Sequence, residues 1–201
     1  MEKTVKKVLI LRHGKTEANF EKRYIGSKTD ISLSPEGIKA VEAKAAFIRE
    51  MAGKDIFLVS SPMKRAVQTA DILFPDEELH TVNGLKEIDF GDFEGKNYEE
   101  LKDNTDYQRW IDSNGTMPFP NGEDRTRFIE RSVAEFYKIL SLSGEKTPVI
   151  ICHGGNVMGI MSTLTGKDYY DFMIGNTEGY MLSLTLENER IVDISYNCIN
   201  S

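Results

Sequence analysis

The sequence predicts an α/β fold: a three-layer sandwich in which helices cover both faces of a mostly parallel central sheet that finishes in an antiparallel edge. Three observations carry this. Short runs of continuous apolar residues, of the kind found in strands buried on both faces, alternate with stretches of helical spacing. Each run stops abruptly at polar residues. Toward the carboxyl end, residues 180–186 and 190–196 read as two strands joined by a short turn, which supplies the antiparallel edge.

The first run, Val8-Leu9-Ile10-Leu11, ends at Arg12-His13-Gly14. Ser34 then offers a capping hydroxyl ahead of Pro35 at a first helical position, and Ile38, Val41, Ala45 and Ile48 recur at helical spacing until Gly53. The second run, Ile56-Phe57-Leu58-Val59, gives way to Ser60-Ser61-Pro62 and a helix that turns Ala66, Ala70 and Leu73 inward. From 83 to 124 the periodicity fades among glycines, aspartates and asparagines, with one helix expected near 98–113. That stretch is expected to be a lid-like excursion from a single domain covering 1–201. Ile129, Val133, Phe136 and Leu140 mark a long amphipathic helix, Pro148-Val149-Ile150-Ile151-Cys152 is the third buried strand, and a helical pattern resumes at Asn156 after His153-Gly154-Gly155. No internal repeat or low-complexity segment interrupts this order.

Composition narrows the function. The 201 residues suffice for a full core. The 25 basic and 32 acidic side chains leave a net charge of −7, which argues against nucleic acid or a membrane surface as partner because no broad positive field exists. Cys152 lies within an apolar run, so a buried thiol is expected and a disulfide framework is not. The apolar stretch after Lys7 is too short for a signal peptide, and a cytoplasmic location is expected.

Ligand crevices in open α/β sheets lie outside the carboxyl ends of the strands. Of the three histidines, His13 and His153 fall at such ends, each followed by a glycine that permits close approach of backbone; His80 has no such setting. Arg65 follows the second strand by about one helical turn. These residues are coherent for a phosphate monoester. Arg12 and Arg65 would grip phosphoryl oxygens with planar forks, neutral His13 would present a ring nitrogen to phosphorus, and His153 would donate to the charge that develops. Both cations would depress the His13 pKa. The leaving alcohol needs a proton, for which Glu87, Asp89, Asp92 and Glu94 all compete. Blander roles exist: His13 or His153 as a satisfied core histidine, Asn19 as a turn residue, and Tyr24, Phe90, Phe93 and Trp110 as packing.

The ordered motifs resemble the histidine phosphatase superfamily, also called phosphoglycerate-mutase-like. They are Leu11-Arg12-His13-Gly14-Lys15-Thr16 with Asn19, then Arg23-Tyr24-Ile25-Gly26, then Ser60-Ser61-Pro62-Met63-Lys64-Arg65-Ala66, then Glu87-Ile88-Asp89-Phe90-Gly91 with Glu94-Gly95, and finally His153-Gly154-Gly155. The resemblance spans nearly the whole chain. It implies His13 as phosphorylated nucleophile, Glu87 as proton donor, and Arg12, Arg65 and His153 as the phosphate pocket, with Asn19, Gly26 and Gly154 as further contacts. It implies no metal and no other cofactor, and a small-molecule phosphate ester as substrate. The compact length and the opening motif through Gly37 resemble the α-ribazole phosphatase branch. Mutases with the same pocket tend to carry longer segments over it, so the short excursion favours hydrolysis. A non-catalytic phosphate-binding module is the remaining alternative, and none of its expected losses at His13, Arg65, Glu87 or His153 has occurred. One departure stands out: Asp124 follows Gly122-Glu123 where many relatives carry serine, adding negative charge to that loop.

Overall fold

Lys3–Arg12 forms β1, Ile56–Ser60 β2, His80–Thr81 β3, Thr147–Cys152 β4, Gly179–Glu187 β5 and Arg190–Ile199 β6 in the computed structural model, which describes residues 3–200. They make one sheet of order β3-β2-β4-β1-β5-β6. The first four in that order run parallel, and β5 and β6 are antiparallel, as the sequence predicted. The parallel strands are the continuous apolar runs, and their residues alternate between two cores. Val8, Ile10, Val59, Ile150 and Cys152 face one side, and Leu9, Leu11, Leu58, Val149 and Ile151 the other.

Helices α2 (Pro35–Ala52) and α3 (Lys64–Leu73) cover the second side, burying Val41, Ala45, Ile48, Ala66, Ala70 and Leu73. The Ser34 hydroxyl accepts from the Gly37 N–H, a cap worth about 1 kcal/mol. On the first side lie α6 (Arg125–Leu142) and α7 (Gly154–Thr165), with Phe136, Ile139, Val157, Ile160 and Met161 in the core. Phe136 is fully buried, so Phe136→Ala would cost about 3–5 kcal/mol. Two short helices remain on the polar loops, α4 (Tyr98–Leu101) and α5 (Thr105–Asp112), besides α1 (Glu17–Phe20) after β1.

Several elements differ from expectation. The one helix expected near 98–113 is two, because the Asn104 side chain accepts from the N–H groups of Asp106 and Tyr107 and so starts a second helix after a break. β1 begins at Lys3, five residues before its apolar run: its polar start is half of an antiparallel pair with β5 and faces solvent, leaving no apolar run to read. β3 is too short to leave a periodic signature. The buried face of α6 is centred on Phe128, Ser132, Phe136 and Ile139, while Ile129, Val133 and Leu140 pack only partly buried beside it. Within 83–124 a separate apolar cluster of Ile88, Phe93, Leu101, Tyr107 and Phe119 closes on Phe128 of α6. Among the described residues no helix is long and apolar enough to cross a membrane.

Candidate active site

The carboxyl ends of β1, β2 and β4 converge, and the sheet itself sets their spacing. The His13 N–H donates to the Cys152 carbonyl at 2.9 Å and the Ser61 N–H to the Ile151 carbonyl at 2.9 Å, extending the strand pairing to the first polar residues. His13 is buried, and its Nδ1 lies 2.6 Å from the Gly14 carbonyl. A carbonyl only accepts, so Nδ1 carries the hydrogen. Burial, with Arg65 and Arg12 adding to it, holds the ring well below the ordinary histidine pKa, leaving a lone pair on Nε2. The Asn176 amide donates to the His13 and Gly14 carbonyls at 3.1 and 3.3 Å, and the Gly14 N–H to Thr69 Oγ1 at 3.0 Å, so the turn that orients the ring is itself held.

Two arginines flank this ring. Arg65, on the first turn of α3, is 1% exposed, and its guanidinium donates to the carbonyls of Thr29 and Gly26 at 3.0 and 3.2 Å. Arg12 donates from Nη1 to the Ile174 carbonyl at 2.8 Å, while its buried Nε has no partner. Among the described residues neither arginine has a carboxylate within ion-pair distance. Burial lowers both pKa values, with Glu87 opposing that first. Carbonyl contacts satisfy hydrogen bonds but leave buried positive charge, which strongly favours an incoming anion.

His153 is fully buried at the N-cap of α7, its ring centroid 5.1 Å from that of His13 in an edge-on arrangement. Its Nε2 lies 2.8 Å from Ser61 Oγ, which also accepts from the Met63 N–H at 3.3 Å. A hydroxyl both donates and accepts, so this contact suits either ring tautomer; Nδ1 is buried without a hydrogen-bond partner. Burial first, then Arg65, keeps this ring neutral as well.

Glu87 is 8% exposed; its Oε1 accepts from the Ile88 N–H at 2.9 Å and its Oε2 from the Gly155 N–H at 3.3 Å. Burial nevertheless raises its pKa above the usual carboxylate value. A Cβ on Gly155 would collide with Glu87 Oε1 and press on the Phe128 ring, so a side chain there would displace the Glu87 carboxylate. Gly154 merely packs against the Arg12 side chain. The Gly26 N–H is taken by Glu94 Oε1 at 2.9 Å and its carbonyl holds Arg65, so Gly26 supports the pocket through a cation rather than by offering its own donor. A Cβ there would collide with the Ile88 carbonyl. Asn19 Oδ1 accepts from the Thr16 N–H at 2.9 Å, leaving the amide nitrogen for the cavity.

These groups meet in a cavity of about 200 Å³ lined by Arg12, His13, Asn19, Arg65 and Glu87. Thr16, Arg23, Tyr24, Ile25 and Phe90 complete the wall. His153 reaches the site against the His13 ring and does not line the cavity. His80 lies against Phe57 on β3 and takes no part. Sequence reasoning gave no role to Thr16, Arg23 and Ile25, although all three sit inside the quoted motifs. It also missed Thr69 and Asn176, the latter brought in from 163 residues away with no local signal. Trp110, considered for the pocket, packs with Tyr107 and Phe119 instead.

The departure at Asp124 has a plain explanation. Its carboxylate accepts from the Thr126 and Arg127 N–H groups at 2.9 and 3.1 Å, capping α6 as a serine would.

Comparison with known proteins gives the family. The model for branch 1 of the histidine phosphatase superfamily matches residues 8–197. The phosphatase PhoE of Bacillus subtilis is 30% identical, over 80% of this chain and 78% of that protein. Human 6-phosphofructo-2-kinase/fructose-2,6-bisphosphatase 4 is 31% identical over 75% of this chain, which spans only 31% of that protein's length. Among solved structures, phosphoserine phosphatase from Entamoeba histolytica, determined with 3-phosphoglyceric acid, is 26% identical, covers 98% of both chains and superposes with a TM-score of 0.80. The chain belongs to branch 1 of the histidine phosphatase superfamily.

Proposed function

We propose that the protein hydrolyses small phosphate monoesters through a phosphohistidine on His13. The observation that carries this reading is a buried, neutral His13 whose Nε2 lone pair is free and which lines one cavity with Arg12 and Arg65, neither of them within ion-pair distance of a carboxylate among the described residues.

His13 Nε2 attacks phosphorus as the bond to the alcohol oxygen breaks, and Glu87 gives its proton to that oxygen. Arg12, Arg65 and Asn19 stabilise the phosphoryl oxygens, and His153 acts from behind the cavity wall, edge-on against the His13 ring. The Glu87 carboxylate then takes a proton from water as its oxygen attacks phosphorus. The P–N bond breaks, phosphate leaves, and both residues return to their starting states. Gly26 serves by offering its carbonyl to Arg65, and Gly154 by packing against the Arg12 side chain. The cavity volume of about 200 Å³ suits a phosphoryl group with a small alcohol, and Tyr24, Ile25 and Phe90 offer that alcohol an apolar wall. The segment 83–124 supplies Glu87 and Phe90 and serves as the cover of one catalytic domain.

The test is release of inorganic phosphate from a panel of phosphorylated small metabolites, α-ribazole phosphate among them, with and without excess chelator. Steady release of one phosphate per ester consumed, undiminished by chelation, is expected. A phosphorylated isomer as product would reassign the protein to mutase chemistry, and activity restored only by a divalent cation would overturn the proposed division of charge.

A further inference from the structure

Arg131, on the second turn of α6, lines no part of the catalytic cavity, yet all five of its N–H donors are committed. Nη1 donates to the carbonyls of Gly84 and Lys86, both at 2.8 Å. Nη2 donates to the Glu87 carbonyl at 3.1 Å and to Glu123 Oε2 at 2.8 Å, and Nε to Glu123 Oε1 at 2.7 Å. Its guanidinium lies over the Phe128 ring, 4.8 Å from the centroid, which leaves it one orientation. Glu123 continues the brace: its N–H donates to the Asp89 carbonyl at 2.9 Å. The Asn156 amide, from α7, donates to the Lys86 carbonyl at 3.4 Å.

These bonds converge on the backbone of residues 84–89, which has no sheet of its own to define it. Glu87 projects from the middle of that stretch, and its carboxylate is held separately, by the Ile88 and Gly155 N–H groups. We infer that Arg131, paired with Glu123, is the positioning residue for Glu87 in proton transfer, fixing the donor's backbone from outside the pocket. This rests on Glu87 being the proton donor. A proton donor must lie within hydrogen-bond reach of the leaving oxygen, and a misplacement of about 1 Å can cost on the order of 10²-fold in rate. Lysine keeps the charge but lacks the planar fork needed to hold three carbonyls and a carboxylate together.

The experiment is a single-turnover comparison of phosphoenzyme formation from an alkyl phosphate and from nitrophenyl phosphate, in wild type, Arg131→Lys, Glu87→Gln and the double variant. Arg131→Lys should slow the alkyl reaction roughly tenfold more than the nitrophenyl reaction, whose leaving group needs little proton. Combined with Glu87→Gln it should add less than about twofold on the alkyl substrate, because the donor it positions is already gone. Equal losses on both substrates from Arg131→Lys, while Glu87→Gln remains selective for the alkyl ester, would overturn the positioning role alone. Glu87→Gln without that selectivity would overturn the acid assignment and this inference with it. Should Arg131→Lys fail to fold, Glu123→Gln, which keeps the shape of the fork's partner, carries the same expectation at smaller size.

Discussion

Two regions meet at the catalytic cavity and are built in different ways. The floor, at the ends of β1, β2 and β4, takes its precision from the sheet: His13 and Ser61 are spaced by ladder hydrogen bonds that continue from buried strands. The roof, within 83–124, has no ladder, and the backbone around Glu87 is held by side chains: Arg131 of α6 on Lys86 and Glu87, Asn156 of α7 on Lys86, and Glu123 on Asp89. In the proposed mechanism the charges that grip a phosphoryl group sit on the rigid part, and the group that meets leaving alcohols sits where sequence can change without disturbing the sheet.

Substitutions separate the two regions by size of effect. The largest belongs to the floor: His13→Ala should lower kcat by about 10⁴-fold or more on every phosphate ester, since no covalent route remains. Uniformity across leaving groups is the check, and a loss confined to alkyl esters would place His13 with the roof. Next comes Glu87→Gln, expected to slow alkyl phosphates by about 10²–10⁴-fold and nitrophenyl phosphate far less. The pH profile sharpens this. Glu87 must be protonated to act, so activity on alkyl esters should fall as pH rises through its elevated pKa, and that alkaline limb should vanish in Glu87→Gln. The nucleophile must be neutral, so the acid limb set by His13 should lie well below the ordinary histidine range in both proteins.

Stability should follow the same division at smaller scale. His13 and His153 are buried neutral, so the unfolded chain takes up protons below its ordinary histidine pKa while the folded state resists. Their contribution is complete above about pH 6.5 and is lost on acidification. Glu87 acts oppositely: with its pKa raised in the folded state, its contribution is complete below the usual carboxylate value and is lost as pH rises. The two histidines predict a loss of stability as pH falls from 7 to 5.5, reduced in His153→Gln, as urea melts would show. The smallest effect is expected at the edge of the roof. Asp124→Ser should change stability by less than about 0.5 kcal/mol, whereas Asp124→Ala should cost about 1 kcal/mol through loss of the α6 cap.

The same contrast explains what was legible in the sequence. Continuous apolar runs ending in Arg12-His13-Gly14 and His153-Gly154-Gly155 announce the strands and the polar residues that their ends bring together, because burial on two faces removes polar positions from the run itself. Glu87 could be chosen among neighbouring carboxylates only by family resemblance. What singles it out is the Gly155 N–H and the burial around it, both contributed by distant segments. Asn176 and Arg131 were invisible for the same reason: their bonds go to backbone carbonyls, which every residue has. The break between α4 and α5 was missed because Asn104 acts through its own local cap, against a pattern otherwise helical.

The central claim is that the phosphoryl group passes through His13, and rapid-quench trapping of the enzyme with a phosphate ester labelled in the phosphoryl group measures it directly. The expected product is an acid-labile, base-stable phosphoenzyme whose label maps to His13 and is absent from His13→Ala. Label on His153 or His80, or undiminished labelling of His13→Ala, would contradict it.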